Sequence, residues 1–460
     1  MPSRRATVEA VLLAIIVLLA AAVRLEPLVT SPETQRNGYG QFGDTLLYHL
    51  IAVNLWQGNG FSATDDGSAF GGASVAVDRY APAITRPPVY PAFLAAVYSF
   101  VGDPKDTTLA TWRTRWDAAR LTQGVLDALT CVLVFLLARA LAPSSPWAPL
   151  TAAAIYAISP YNIFYTRALL SECVGTFLMT AGLLRCVIAF KDGNRFDWFV
   201  AGAVLGVAAL CNPQVVLFPF LLAGWILLRH ASDRRNGLAL GLYLLAGTAL
   251  SISPWTARNL IAFHRPIPIS ITAWWYSIFL GSYETRETWQ GWNVVPEQIV
   301  PDPQERAAIV ARFDLMWAEF NRGSLTVSEI DRGFRTPALR QIREHPVNTL
   351  AVWVDGAQRL WYQHYIAMYR DPEASGLYVL LYFALAIYAA VRAASSERRM
   401  MAPIGLLALY LTVFFLPLHD EARYSVVAIP GLIAAAGVGL ARLVKADEWA
   451  LRVSRSTAAV

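Results

Sequence analysis

Asp44 lies in Gly43-Asp44-Thr45-Leu46-Leu47-Tyr48-His49, at the start of a run patterned as a helix. A carboxylate in that place could take a proton from a hydroxyl. It could equally serve as a helix N-cap, since Asp before Thr satisfies backbone N–H groups that a first helical turn leaves open. Arg86, in Arg86-Pro87-Pro88-Val89-Tyr90-Pro91, sits on a backbone stiffened by proline. Its guanidinium could hold a phosphate by paired N–H donors, or simply snorkel to lipid phosphate. Arg258 in Pro254-Trp255-Thr256-Ala257-Arg258-Asn259 and Arg423 in His419-Asp420-Glu421-Ala422-Arg423-Tyr424 supply two further cations. One base with several cations suits transfer of a group away from a phosphate, because the cations stabilise the charge that develops on the leaving oxygen.

Other polar residues read more quietly. Glu172, in Leu169-Leu170-Ser171-Glu172, falls where an apolar run begins, a costly place for an unpaired carboxylate, and Arg167 is the partner expected from proximity. Asp127 and Arg185 lie deeper in apolar runs and invite the same structural reading. Tyr48, His49, Glu172 and Tyr90 could line a substrate site; Trp274, Trp275 and Tyr276 could stack on a sugar, although an aromatic belt is the commoner fate of such clusters. None of His49, His264, His345, His364 and His419 has a metal-type spacing, so no cofactor is expected, although Asp44 with a distant histidine could still bind a divalent metal. The four cysteines Cys131, Cys173, Cys186 and Cys211 sit in or beside apolar runs and show neither a disulfide framework nor a zinc pattern.

The elements that must position these residues are set by an apolar composition. Hydrophobic residues make up 56% of the 460 and charged ones 15%, with a mean hydropathy of +0.41. That is too apolar for a soluble domain of this size. The net charge of +5 is scattered in short clusters between apolar runs, which argues for topology signals and against a nucleic-acid partner. Ten stretches approach the about 20 apolar residues that a spanning helix needs. They are roughly 7–25, 120–141, 147–164, 173–190, 197–212, 213–229, 237–254, 376–393, 401–418 and 424–444. The first is read as a retained anchor, because no small-residue cleavage site follows it. Asn212-Pro213-Gln214 divides the fifth from the sixth.

If the ten helices alternate, Arg4/Arg5, Arg139, Lys191/Arg195, Arg229/Arg234/Arg235, Arg392/Arg398/Arg399 and Arg442/Lys445/Arg452/Arg455 share one face. The positive-inside bias makes that face, and both termini, cytoplasmic, in a multi-pass cytoplasmic (inner) membrane protein. The opposite face then receives two long segments, 26–119 and 255–375, and short ones around 160–171 and 419–423. Asp44 to Gln57, Pro87 to Phe100 and His345 to Tyr365 are expected as helices lying at the interface. The expected class is an all-α polytopic membrane protein, one integral unit over 1–460.

Together these strings resemble the GT-C superfamily of polyprenyl-phosphate-dependent glycosyltransferases, in its bacterial branch related to protein O-mannosyltransferases and lipid A aminoarabinose transferases. The resemblance rests on Gly43-Asp44 with Tyr48, Gly58-Asn59-Gly60-Phe61, Arg86-Pro87-Pro88-Val89-Tyr90-Pro91, Leu170-Ser171-Glu172, Pro254-Trp255 with Arg258-Asn259, Pro266 to Ser270, and Arg423-Tyr424. It implies that Asp44 is the base and that Arg86 contacts the carrier phosphate, where some relatives have lysine. It also implies a polyprenyl-phosphate-linked sugar donor, inversion at the sugar, and an acceptor that could be protein, lipid or polysaccharide. The rival readings are a transporter or flippase for a lipid-linked sugar and an O-antigen ligase or polymerase. The absence of paired repeats argues against the first, and the long segment directly after the first helix against the second.

Overall fold

The computed structural model describes residues 4–31, 43–63, 82–103, 105–106, 108–192, 194–271, 273–285, 288, 296–322, 324–362 and 372–445. Among these the chain is helical, and the extended backbone amounts to one isolated antiparallel bridge, Ser62 to Pro82. In chain order the helices are α1 (Arg4–Thr30), α2 (Gly43–Trp56), α3 (Val89–Tyr98), α4 (Leu109–Leu141), α5 (Trp147–Ala157), α6 (Pro160–Arg167), α7 (Glu172–Asp192), α8 (Arg195–Cys211), α9 (Phe218–Arg229) and α10 (Arg234–Phe263). There follow α11 (Trp274–Tyr283), α12 (Pro303–Asn321), α13 (Val327–Gly333), α14 (Arg335–Glu344), α15 (Pro346–Tyr362), α16 (Pro372–Arg392), α17 (Ser395–Phe415) and α18 (Ile429–Leu443).

Among the described residues six helices are long and apolar enough to cross a membrane: Ala6–Thr30, Leu109–Leu141, Glu172–Lys191, Arg234–Phe263, Ser395–Phe415 and Ala422–Leu443. They correspond to six of the ten apolar runs. The other four fall on α5 with α6 (147–164), α8 (197–212), α9 (213–229) and α16 (376–393). The run at 147–164 is broken, because Pro160 holds Ser159 in an extended conformation (φ −63°, ψ 114°) and separates α5 from α6. Asn212 is extended likewise (φ −126°, ψ 97°), so α8 and α9 are separate as the polar turn implied.

Two boundaries differ from expectation. α4 begins at Leu109 with Thr108 as its N-cap, so its 33 residues carry a charged turn beyond the apolar run. At 1.5 Å per residue the helix is about 50 Å long and outreaches the hydrocarbon layer. α10 does not stop at Pro254 but continues to Phe263. The proline removes the N–H that would reach the Leu250 carbonyl, and the Ser253 hydroxyl donates to that carbonyl instead, at 3.1 Å. The helix ends at His264, which adopts the left-handed conformation (φ 55°).

The bundle is closed by small residues. A Cβ on Gly202 would overlap the Leu244 carbonyl oxygen, and one on Gly247 the Phe199 carbonyl oxygen, so α8 and α10 touch backbone to backbone. Thr248 and Ser251 donate across this seam to the carbonyls of Gly202 (3.1 Å) and Ala203 (2.9 Å). The main core runs through α3, α4, α7, α8, α10, α17 and α18. A second, smaller core of Tyr276, Phe279, Leu280, Ile330 and Phe334 gives the later long segment a helical subdomain of its own. Each fully buried ring there contributes roughly 2–3 kcal/mol.

Candidate functional site

α2, α3 and α15 occupy the stretches expected to lie at the membrane surface, although His364 and Tyr365 fall outside the described residues. Thr45, Leu47, Tyr48, His49 and Ile51 are all buried, so α2 is packed into the protein around most of its circumference. Thr45 fixes its start by donating to the Leu169 carbonyl at 3.2 Å. Below it, Tyr48 packs edge-on against Tyr90 (4.9 Å), and Tyr90 donates to Gln123 (2.7 Å). Gln123 in turn donates to the carbonyls of Thr166 and Ala168. One chain of polar contacts thus registers α2, α3, α4 and the α6–α7 turn against each other.

At the exposed end of this arrangement Asp44 meets two guanidiniums. Its Oδ1 accepts from Arg86 Nη2 at 2.5 Å, and its Oδ2 from Arg423 Nη1 at 2.9 Å. Burial acts to raise the Asp44 pKa, but Arg86 and Arg423 outweigh it and hold the carboxyl down at about 2. The helix N-terminus favours the same anion. Arg86 lies over the Tyr48 ring at 5.8 Å and donates to the Thr85 carbonyl. Arg423 Nε lies 2.6 Å from Glu421 Oε2 and 3.8 Å from Glu172 Oε1, and its guanidinium faces the Tyr424 ring at 5.2 Å. The segments at 43–49, 85–86, 169–172 and 421–424, expected on one face of the membrane, therefore converge on one group of charges.

Other expected residues fall elsewhere. Glu172 forms no ion pair with Arg167; its cationic neighbour is Arg423, which arrives from the far end of the chain. Arg258 does not reach Asp44. It donates to the carbonyls of Ala83 and Phe61, both at 2.8 Å, and to Asn259 Oδ1, with the rings of Trp255, Phe263 and Phe61 around it. Its position is that of a clamp on the two ends of the Phe61–Ala83 stretch, with Asn259 fastening residues 267 and 269 beside it. His49 is fully buried under α2, where Trp116 Nε1 donates to its Nδ1 at 3.1 Å. Burial, with Arg115 nearby, pushes its pKa down to about 3, so it is neutral and structural. Trp274 packs edge-on against Phe414, and Trp275 lies against Arg335 at the subdomain. Asp127 pairs with Arg24 (2.5 Å) and Arg185 with Asp197 (2.5 Å). Among the described residues no group of three His, Cys, Asp or Glu side chains is arranged to hold a metal.

Sequence reading passed over Glu284, Arg359 and the acids beside Arg423. Arg359 pairs with Asp420 at 2.7 Å, and His419 Nδ1 lies 2.7 Å from Glu284 Oε2. The signal was present in His419-Asp420-Glu421, three ionisable residues at the edge of an apolar run, where each needs a partner.

Known proteins bear on the arrangement as follows. Residues 85–257 match the family model described as dolichyl-phosphate-mannose-protein mannosyltransferase. The archaeal oligosaccharyltransferase AglB of Archaeoglobus fulgidus, in complex with an inhibitory peptide and a dolichol-phosphate, superposes with a TM-score of 0.56 at 15% identity over 98% of this chain and 52% of that one. An Archaeoglobus fulgidus oligosaccharyltransferase tethered with an acceptor peptide gives 0.57 at 15% identity, over 96% of this chain and 50% of that one. The chain has the GT-C fold. The chain spans about half the length of those oligosaccharyltransferases. A looser likeness, to ArnT of Cupriavidus metallidurans bound to undecaprenyl phosphate, has a TM-score of 0.36 at 15% identity over 94% of this chain and 78% of that one, too low to carry weight. No curated protein matches the sequence. The stretch matched by the family model holds Arg86 and Glu172, while Asp44 and Arg423 lie outside it.

Proposed function

We propose that the protein is an inverting glycosyltransferase that uses a polyprenyl-phosphate-linked sugar at the outer face of the cytoplasmic membrane. On this reading it is one integral unit with both termini cytoplasmic, and the segments 26–119 and 255–375 lie outside. The observation that carries the reading is the carboxylate of Asp44 held between Arg86 and Arg423 at the end of the bundle. A structural relative that holds a dolichol-phosphate supports the choice of carrier.

The donor phosphate takes Nη donors of Arg86 and Arg423, two forks suited to its oxygens. Each donor so taken weakens the hold on Asp44 and makes its carboxylate a better base. Asp44 then accepts the proton of an acceptor hydroxyl while the hydroxyl oxygen bonds to the anomeric carbon. The bond from that carbon to the phosphate oxygen breaks on the opposite side, and the electron pair leaves with the polyprenyl phosphate, whose charge the two arginines receive. Tyr48 and Tyr90 support Arg86 from below, and Arg258 holds the backbone at residues 61 and 83 instead of touching phosphate.

The test is sugar transfer by the purified protein in nanodiscs, offered a panel of polyprenyl-phosphate sugars and hydroxyl acceptors. Transfer by the native chain and its loss in Asp44→Asn are expected. Movement of the lipid-linked sugar across the bilayer without product would replace this reading with that of a transporter.

A further inference from the structure

The charges around Asp44 do not end at Arg423. Glu421 Oε2 lies 2.6 Å from Arg423 Nε, and its other oxygen lies 3.4 Å from His419 Nε2. His419 Nδ1 lies 2.7 Å from Glu284 Oε2, and Glu284 is fully buried at the end of α11. Read from the subdomain inward, the signs alternate: Glu284, His419, Glu421, Arg423, Asp44, Arg86.

The string is anchored at its outer end. The His419 N–H donates to the Ser277 carbonyl at 2.7 Å, and the backbone at Leu418 packs so closely on Gly281 that a Cβ there would overlap it. Arg359 donates to the Glu284 carbonyl (2.9 Å) and pairs with Asp420 (2.7 Å). α11 and α15 thus fix the turn that carries Glu421 and Arg423.

We infer that His419 and Glu284 are positioning residues for Arg423, acting through Glu421; this rests on the proposed role of Arg423 beside Asp44. The physical argument is competition for one guanidinium. Asp44, Glu172 and Glu421 all face Arg423, and in a poorly hydrated site the least compensated carboxylate draws it hardest. A protonated His419 shares the charge of Glu421, so Arg423 remains divided between Glu421 and Asp44. With a neutral side chain at 419, Glu421 takes Arg423 away from Asp44 and from an incoming phosphate. Burial acts to lower the His419 pKa, but Glu284 and Glu421 outweigh it and hold it up at about 10, which keeps the imidazolium in place at neutral pH.

The experiment uses the full chain in detergent and two readouts. Thermal unfolding of His419→Gln, Asp44→Asn and the double variant reports coupling between side chains that do not touch. Such pairs add when they share no partner. The inference expects departure from additivity, whatever the protein's activity; additive shifts overturn it. Sugar transfer supplies the second readout. His419→Gln is expected to lower kcat about tenfold with KM changed less, and adding Glu421→Gln to it should restore part of that loss by removing the competing charge. No recovery in the double variant overturns the inference while leaving the glycosyltransferase reading intact. Absence of transfer by the native chain overturns the latter alone. Should His419→Gln fail to fold, Glu284→Gln tests the same link by its thermal coupling to Asp44→Asn, where departure from additivity is expected and additive shifts overturn the inference.

Discussion

Asp44 and Arg423, 379 residues apart in sequence, are joined by a hydrogen bond of 2.9 Å. Among the described residues Arg423 lies at the start of the last long helix, Ala422–Leu443, and Asp44 at the start of α2, so the contact joins two distant parts of the chain at the place where chemistry is proposed.

Asp44→Asn keeps the shape of the side chain and removes both its charge and its capacity as a base. Transfer is expected to fall by about 10²–10⁴-fold, measured at saturating donor with unfolding temperature as a control for folding. Wild-type turnover in this variant would remove Asp44 from the role.

The Asp44 carboxyl, held at about 2, stays ionised in the free protein throughout the usual assay range. Its pKa is depressed, so the charge is present above that value and is lost only as pH falls through it. The profile of kcat/KM, which reports the free enzyme, should therefore show no loss attributable to this group between pH 7 and about 4. An acid limb in that range that disappears in Asp44→Glu would contradict the assignment.

Arg423→Lys replaces a fork that reaches Asp44 with one Nη and Glu421 with its Nε by a single ammonium. We expect it to cost more in kcat/KM than Arg86→Lys, since Arg423 holds two carboxylates with its fork, whereas Arg86 gives one Nη to Asp44 and the other to the neutral Thr85 carbonyl. Equal losses in the two variants would show that the divided contact of Arg423 has no catalytic weight.

Arg258→Ala should act on the fold. It removes two carbonyl contacts at 2.8 Å and the packing of three rings, a loss of about 2 kcal/mol. A clear fall in unfolding temperature with an unchanged affinity for polyprenyl phosphate is expected; the reverse pattern would restore Arg258 as a phosphate ligand.

The ion pair of His419 with Glu284 has its own pH signature. The folded pKa of His419 is raised, so its stabilisation is complete below the unfolded value of about 6.5 and is lost as pH rises towards 10. Unfolding temperature should therefore decline over that window more steeply in the native chain than in His419→Gln. Glu284, Glu421 and the neighbouring Arg359–Asp420 pair are the charged groups that shape it.

Much of this was legible before the structure. Length and hydropathy located the helical runs, Asn212-Pro213 divided two of them, and the basic clusters placed Asp44, Arg86, Glu172 and Arg423 on one face, where they meet. What escaped depended on tertiary partners. The charged turn of α4 and the passage of α10 through Pro254 were missed because composition reports apolarity and not whether a helix continues beyond it. Arg258 carries the same residue type as Arg86 but meets backbone carbonyls at 61 and 83, a pairing no local pattern reveals. Glu284 and His419 lie 135 positions apart and gave no local hint of each other.

The unbroken course of α10 bears on how force travels through the protein. One stiff rod bears Gly247, wedged against residue 199, and, about 16 Å further along at 1.5 Å per residue, the arginine that grips residues 61 and 83. A proline that elsewhere would offer a joint is here splinted by its preceding serine. A pull on the backbone at residue 61 or 83 is passed along that rod to the middle of the bundle.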